Sequence, residues 1–239
     1  MFICNWRLEI GYSPISNLQS LAEMTSPFQH FIDQLAQTEL PSNLFNQYSY
    51  IHEINGGRRH NLRLYLKRMA QLRPQVMLVA EAPGYRGCRL TGVPFVSPFI
   101  MRHGLDDIGL FGRERGYQTV AEWPEIQREA SATIVWQTLL AHNLTPLLWN
   151  VLPFHPHRTG NPQSNRTPKT SELRFGESFL RTLLELFPVK IVVAVGNKAE
   201  SALTRWDIPF QKMRHPAQGG KKQFVHGIEK IVGCSSQSG

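Results

Sequence analysis

Three side chains able to do acid, base or hydrogen-bonding chemistry stand at the end of, or just after, short segments of strand length. Glu81 comes after Val76-Met77-Leu78-Val79-Ala80 and is turned at once by Ala82-Pro83-Gly84. Asn150 ends Leu147-Leu148-Trp149, and His215 sits in Arg214-His215-Pro216-Ala217, ahead of Gly219-Gly220-Lys221-Lys222. A carboxylate fixed at a sheet edge can orient or activate water. A carboxamide offers donor and acceptor together. An imidazole can donate to a developing anion, while glycines and lysines let backbone and charge approach phosphates. Each residue also has a plainer reading: Glu81 as a salt-bridge partner or helix cap, Asn150 as a partner for backbone groups in a turn, and His215 with Pro216 as an ordinary turn.

The elements that must position these groups read as alternating strands and helices. Gln75 to Ala80, Pro146 to Leu152 and Val189 to Gly196 have the length and β-branched, apolar character of buried strands, and Ile208 to Met213 supplies a fourth. Helical patterns lie between them at about 125 to 142 and 171 to 187. In the second of these Leu173, Leu180, Leu183, Leu184 and Phe187 share a face. Asn197 with Glu200 resembles a capping box for a helix through Arg205. Upstream, Ser26 and Pro27 read as N-cap and first residue of a helix carrying Phe28, Phe31, Ile32 and Leu35. A second helix, capped near Asn61, carries Leu62, Tyr65, Leu66 and Met69. The expectation is an α/β fold of three layers, α/β/α, around a mostly parallel four-stranded sheet, with an N-terminal helical extension over 1–72, the α/β domain over 73–233 and a polar tail over 234–239. In such sheets ligands bind at the carboxyl ends of the strands, where Glu81, Asn150 and His215 stand.

The 239 residues suffice for one such domain with a buried core. The formal charge is +8, from 26 Lys and Arg against 18 Asp and Glu. Ten of the basic residues lie in three stretches without a single acid, 84–105, 151–171 and 208–228, so the remaining 16 are outnumbered by the acids. Two of the stretches adjoin Glu81 and Asn150 and the third contains His215, so sheet topology and charge point to one basic rim, as phosphate binding requires. The apolar runs are too short to span a bilayer, and the amino terminus lacks a secretion-signal pattern, giving a cytoplasmic expectation. Cys4, Cys88 and Cys234 are far apart and odd in number, which excludes a disulfide framework and a four-cysteine metal or iron-sulfur site. His155 and His157 lack further ligands at metal spacing and are expected to line the site or touch phosphate. Neither G-x-x-x-x-G-K-[ST] nor G-x-G-x-x-G occurs, which disfavours P-loop and dinucleotide enzymes.

In this order, Glu81-Ala82-Pro83-Gly84 with Gly92-Val93-Pro94-Phe95, then Leu147 to Val151, then Arg214 to Ala217, the chain resembles the uracil-DNA glycosylase superfamily over roughly 75 to 222, in the branch with a Glu-Ala-Pro-Gly first motif. The resemblance implies hydrolysis of an N-glycosidic bond in DNA with the target nucleotide flipped into a pocket. It implies that Glu81 positions the attacking water, Phe95 stacks on the base, Asn150 reads its edge and His215 stabilises the leaving base. Ala82 and Gly84 stand where the most studied branch has its water-activating aspartate and a tyrosine blocking pyrimidine C5. The expected pocket is therefore open beside Gly84 and tolerant of C5 substituents, unless Tyr85 refills it. The branch's iron-sulfur cysteines are absent, and so is an obvious leucine wedge in the last motif, where Gln218-Gly219-Gly220 stand. Arg86, Arg89, Arg158, Arg166, Lys169, Arg214, Lys221 and Lys222 are the expected DNA contacts. Lys221 and Lys222 read as phosphate-contacting lysines rather than Schiff-base formers. The expectation is a monomer acting on single- or double-stranded DNA, with no metal and no cofactor, in base-excision repair or in defence against modified phage DNA. The alternative is a non-catalytic nucleic-acid-binding module that keeps the fold.

Overall fold

The computed structural model describes residues 26–235. Cys4 and the polar tail beyond Ser235 lie outside them, as does the first third of the predicted N-terminal extension. Within the described residues the chain runs through α1 (Pro27–Gln37), β1 (Leu44–Phe45), α2 (Asn55–Leu72), β2 (Val76–Ala80), α3 (Cys88–Thr91), α4 (Pro98–His103), α5 (Ala130–Ala141), β3 (Leu147–Asn150), β4 (His155–Pro156), α6 (Glu177–Leu186), β5 (Ile191–Val195), α7 (Asn197–Arg205), β6 (Gln211–Met213) and α8 (Lys221–Ser235).

Strands β3, β2, β5 and β6 form, in that order, a wholly parallel sheet flanked by helices, the three-layer arrangement expected from the sequence. Every residue of β2 and β3 is buried, which is why these strands read as unbroken apolar runs rather than alternating ones. The outer edge of β3 is covered rather than open. The Leu148 N–H donates to the Tyr65 hydroxyl at 2.7 Å, so α2 supplies the partner that a further strand would have given.

The N-terminal helices share this core. Ser26 Oγ accepts the Phe28 N–H and Pro27 opens α1, as its sequence predicts. Phe31 then packs on Trp149 of β3 and edge-on to Phe179 of α6. α2 departs from the expectation. It begins at Asn55 rather than near Asn61, because Asn55 donates to the Asn46 and Ser49 carbonyls and Arg58 is drawn into the interior, outweighing the poor helix propensity of Gly56 and Gly57. Asn61 is therefore no cap. It is buried mid-helix, donating to the Thr91 and Gln118 carbonyls and accepting the Gln118 N–H.

Three further boundaries differ. Residues 125–129 are irregular, so α5 starts at Ala130. The segment expected as one helix over 171–187 is a 3-10 stretch, Thr170–Phe175, followed by α6. The N-cap of α7 is Gly196 at φ +90°, with Asn197 already helical, so no capping box forms there. Lys221 and Lys222, for which the sequence predicts no element, open α8, whose buried Phe224, Ile228 and Ile231 recur at helical spacing.

Candidate active site

Register places the first two chemical groups side by side. Ala80 pairs with Asn150 across the parallel β2–β3 ladder, so Glu81, one residue beyond Ala80, leaves the sheet next to the Asn150 side chain. The bonds from Val151 N–H to Ala80 carbonyl at 2.8 Å and from Leu152 N–H to Glu81 carbonyl at 3.1 Å hold the two exits together. On the far side of β2, β5 pairs with β6 up to Val195 and Met213, and the chain then turns through Arg214 into His215. Ala80, Glu81, Ala82, Gly84, Cys88, Phe95, Glu129, Ser131, Asn150 and His215 line one cavity of about 60 Å³ at the carboxyl edge of the sheet, the position that parallel sheets reserve for ligands.

The side-chain amide of Asn150 is buried and makes no hydrogen bond to another described residue. A buried carboxamide without partners costs free energy unless a ligand or solvent satisfies it. Asn150 is thus poised for a molecule in the cavity rather than for its own turn. Glu81 is partly buried. Burial pushes its carboxyl above the ordinary value, and the Lys198 ammonium on α7 opposes that rise.

His215 is held by its own loop. Its Nδ1 accepts the Ala217 N–H at 3.1 Å, which fixes the proton of the neutral ring on Nε2. Burial, with Arg214 adjacent, lowers its pKa, so the imidazole is neutral near pH 7 and presents an Nε2–H donor. A Cβ at Gly220 would collide with the His215 carbonyl, so only glycine lets the start of α8 close on this loop. The Phe95 and His215 rings face each other 6.5 Å apart at 27°. Phe95 holds a left-handed backbone, φ +57°, uncommon outside glycine and a reservoir of local strain.

The opening expected beside Gly84 is filled, and Tyr85 is not what fills it. Tyr85 turns outward, 5.9 Å from Trp123, with the Arg86 guanidinium over its ring and its N–H donated to Asn165 Oδ1. The space holds the carboxyl of Glu129, a residue that stands in none of the sequence motifs. Its Oε1 lies 2.6 Å from where a Cβ on Gly84 would stand, and its other oxygen crowds Gly87 more closely still. Burial raises its pKa to about 7, against a hydrogen bond from Ser131.

The expected basic contacts divide in two. Arg86, Arg158, Lys169, Arg214, Lys221 and Lys222 are exposed. Arg89 is buried, pairing with Glu122 at 2.7 Å and lying over the Phe45 ring, alongside the fully buried Arg58, which binds the other oxygen of the same carboxylate. Arg166 forks onto Glu172 through two bonds of 2.7 and 2.8 Å. Those two arginines are engaged within the protein, which removes them from the free rim that the charge pattern suggested. His155 and His157 are buried as well. The two ring nitrogens of His155 lie 2.7 Å from the Pro83 carbonyl and 3.1 Å from the Pro162 carbonyl, tying the Glu81 turn to the 158–169 loop rather than facing phosphate. Among the described residues no group of three or more His, Cys, Asp or Glu could hold a metal ion, and no helix is long and apolar enough to cross a membrane.

Comparison with known proteins bears on this geometry. No curated protein matches the sequence. Among solved structures the chain is similar to SMUG2 of Pedobacter heparinus, with TM-score 0.56 and 15% identity over 87% of this chain and 97% of that one. UNG of Nitratifractor salsuginis also matches, with TM-score 0.42 and 13% identity over 92% and 98%. The family model of the uracil DNA glycosylase superfamily matches residues 67–232. That span takes in all four sheet strands and every residue lining the cavity, and the chain belongs to the uracil DNA glycosylase superfamily.

Proposed function

We propose that the protein is a monofunctional DNA glycosylase that hydrolyses the N-glycosidic bond of uracil or a C5-modified pyrimidine flipped out of DNA. The observation that carries this reading is the buried, unpartnered Asn150 amide, which shares one cavity with Glu81, Phe95 and His215. Phosphate binding alone requires none of the four.

In this reading the base stacks on Phe95 and is recognised at its hydrogen-bonding edge by Asn150. As the C1′–N1 bond breaks, positive charge spreads over the sugar and negative charge over the departing base. The neutral His215 ring donates Nε2–H to that anion. The Glu81 carboxylate orients a water against C1′ and takes a proton from it as the new C–O bond forms. The ionised acid is required for this, while burial favours the neutral one. Lys198, which counters the effect of burial, therefore belongs to the working site. The exposed Arg86, Arg158, Lys169, Arg214, Lys221 and Lys222 hold the phosphates around the flipped nucleotide. Lys221 and Lys222 add side-chain charge to the N-terminal end of α8, which itself favours anions.

The test is alkaline strand cleavage of labelled single- and double-stranded oligonucleotides carrying uracil, hypoxanthine, xanthine or 5-substituted pyrimidines, with Glu81→Ala and Asn150→Ala as controls. Abasic sites formed by the wild type and lost in both variants support the reading. DNA binding with no abasic product from any base identifies instead a non-catalytic DNA-binding module on the same fold.

A further inference from the structure

Glu129 belongs to none of the roles assigned above, yet it forms a wall of the same cavity. It stands at the N-cap position of α5, at the end of an irregular segment, and its side chain makes no capping bond and instead lines the cavity. That segment is fastened at two earlier points, by Glu122 on Arg58 and Arg89, and by the Gln127 carbonyl, which accepts the Phe99 N–H at 3.1 Å. Both glycines of the Gly84 to Gly87 turn are matched to the acid. A side chain at either position would strike its carboxylate oxygens. The absence of a side chain at Gly84 therefore exchanges one wall for another, and the new wall is a hydrogen-bonding group.

We propose that Glu129 is a specificity-determining residue: its carboxyl reads the pyrimidine ring on the side facing Gly84 and selects bases that carry a hydroxyl-bearing substituent there over bases that carry a methyl. The proposal rests on the glycosylase reading, in which Asn150 holds the base edge and Phe95 its face. A hydroxymethyl group at C5 can donate to, or accept from, the carboxyl. A methyl group in the same place strips solvent from the carboxyl and returns no hydrogen bond. Sites built to hydrogen-bond a substrate group discriminate far more strongly than apolar pockets discriminate by size. Because burial raises the Glu129 pKa to about 7, both its acid and its carboxylate forms are available near neutrality, so the group can act as donor or acceptor.

The test is single-turnover excision of uracil, 5-hydroxymethyluracil and thymine from otherwise identical single-stranded oligonucleotides by wild type, Glu129→Gln and Glu129→Ala, with folding checked by thermal melting. Wild type is expected to remove 5-hydroxymethyluracil at least tenfold faster than thymine. Glu129→Gln, which keeps the size and hydrogen-bonding capacity, is expected to hold that ratio within threefold. Glu129→Ala is expected to lower it by more than threefold, to about tenfold where one hydrogen bond is removed. A merely structural role for Glu129 would slow all three substrates together and leave the ratio unchanged. Uracil excised by the wild type with a ratio that stays within threefold in Glu129→Ala, or with no preference for the hydroxymethyl base, overturns this inference alone. No product from any base removes the glycosylase reading and this inference with it.

Discussion

The indole N–H of Trp136 donates to the Phe95 carbonyl at 3.1 Å, and Phe95 presents that carbonyl from a left-handed backbone. A strained residue at a binding face persists only where its surroundings fix it, and the buried Trp136 on α5 is one such constraint. Trp136→Phe keeps most of the apolar volume but leaves the Phe95 carbonyl without its partner. The expected cost is about 1–3 kcal/mol in denaturant unfolding. Excision is expected to slow as well, because the stacking ring loses its anchor. A variant that loses stability with unaltered excision rates would show that Trp136 serves the core alone.

Glu81 works ionised and His215 works neutral, so both are in their working forms once the pH has risen past their pKa values. Glu81 must be ionised and its pKa is raised by burial, so excision is expected to climb with pH through a value above the ordinary carboxylate range. The His215 pKa is lowered, so the ring already carries its single Nε2 proton through neutrality and imposes no falling limb there. Glu81→Gln is expected to lose about 10²–10⁴ in rate and His215→Ala about 10²–10³. In both, the melting temperature is expected to stay close to that of the wild type. A pH–rate profile with the Lys198→Ala variant checks the assignment: its rising limb should move to higher pH, since the ammonium that counters burial is gone.

Salt dependence separates the basic residues into two groups. Replacing Lys222 or Arg158 by Ala is expected to reduce the slope of log affinity against log salt by about 0.7–0.9 for each phosphate that is no longer neutralised, with stability retained. Arg166→Ala is expected to unfold the protein more readily, because Glu172 is buried and receives both guanidinium nitrogens. Equal effects of all three substitutions on the salt slope would place Arg166 on the DNA after all.

The carboxylate of Glu122 joins two buried guanidiniums. Burial alone would raise its pKa, but Arg58 and Arg89 hold it below the ordinary value. A carboxyl whose folded pKa is depressed contributes stability above its unfolded pKa and loses it as the pH falls through the folded value. Glu122→Ala is expected to cost about 2–4 kcal/mol at neutral pH, since it strands both arginines. The difference from wild type should shrink in acid, which urea titrations at pH 7 and pH 3 would measure.

What could be read from the sequence, and what could not, follows from where each signal resides. The parallel strands are apolar along their whole length because both faces are buried, so β2, β3 and β5 are legible from composition. Glu81 and Asn150 mark the ends of two of those runs, His215 follows the short and partly exposed β6, and topology brings the three together. Glu122 and Glu129 lie in the irregular stretch before α5, which has no period. Their positions depend on Arg58, Arg89 and the two glycines, all distant from them along the chain. Arg89 and Arg166 look like rim arginines because their partners, Glu122 and Glu172, fall outside the acid-free stretches. α8 had a readable signal in the spacing of Phe224, Ile228 and Ile231, which the preceding glycines and lysines obscured.

Glu129 also gives stability a pH dependence of opposite sign to that of Glu122. Its folded pKa of about 7 lies above its unfolded value near 4.5. Its contribution is therefore fully present below the unfolded pKa and is lost as the pH rises through 7. At 1.36 kcal/mol per pKa unit the loss is at most about 3 kcal/mol, and less to the extent that the partly exposed residue draws solvent to its carboxyl. Glu129→Gln cannot ionise and escapes this penalty. The variant is therefore expected to become more stable relative to wild type between pH 4 and pH 8.5, with the gap widening from about pH 4.5 and levelling off above about pH 7. Parallel melting curves of the two proteins across that range, or a constant gap, would instead mean that the carboxyl is solvated and keeps an ordinary pKa. The acid would then be ionised throughout the neutral range, and only its acceptor role toward a substrate hydroxyl would remain.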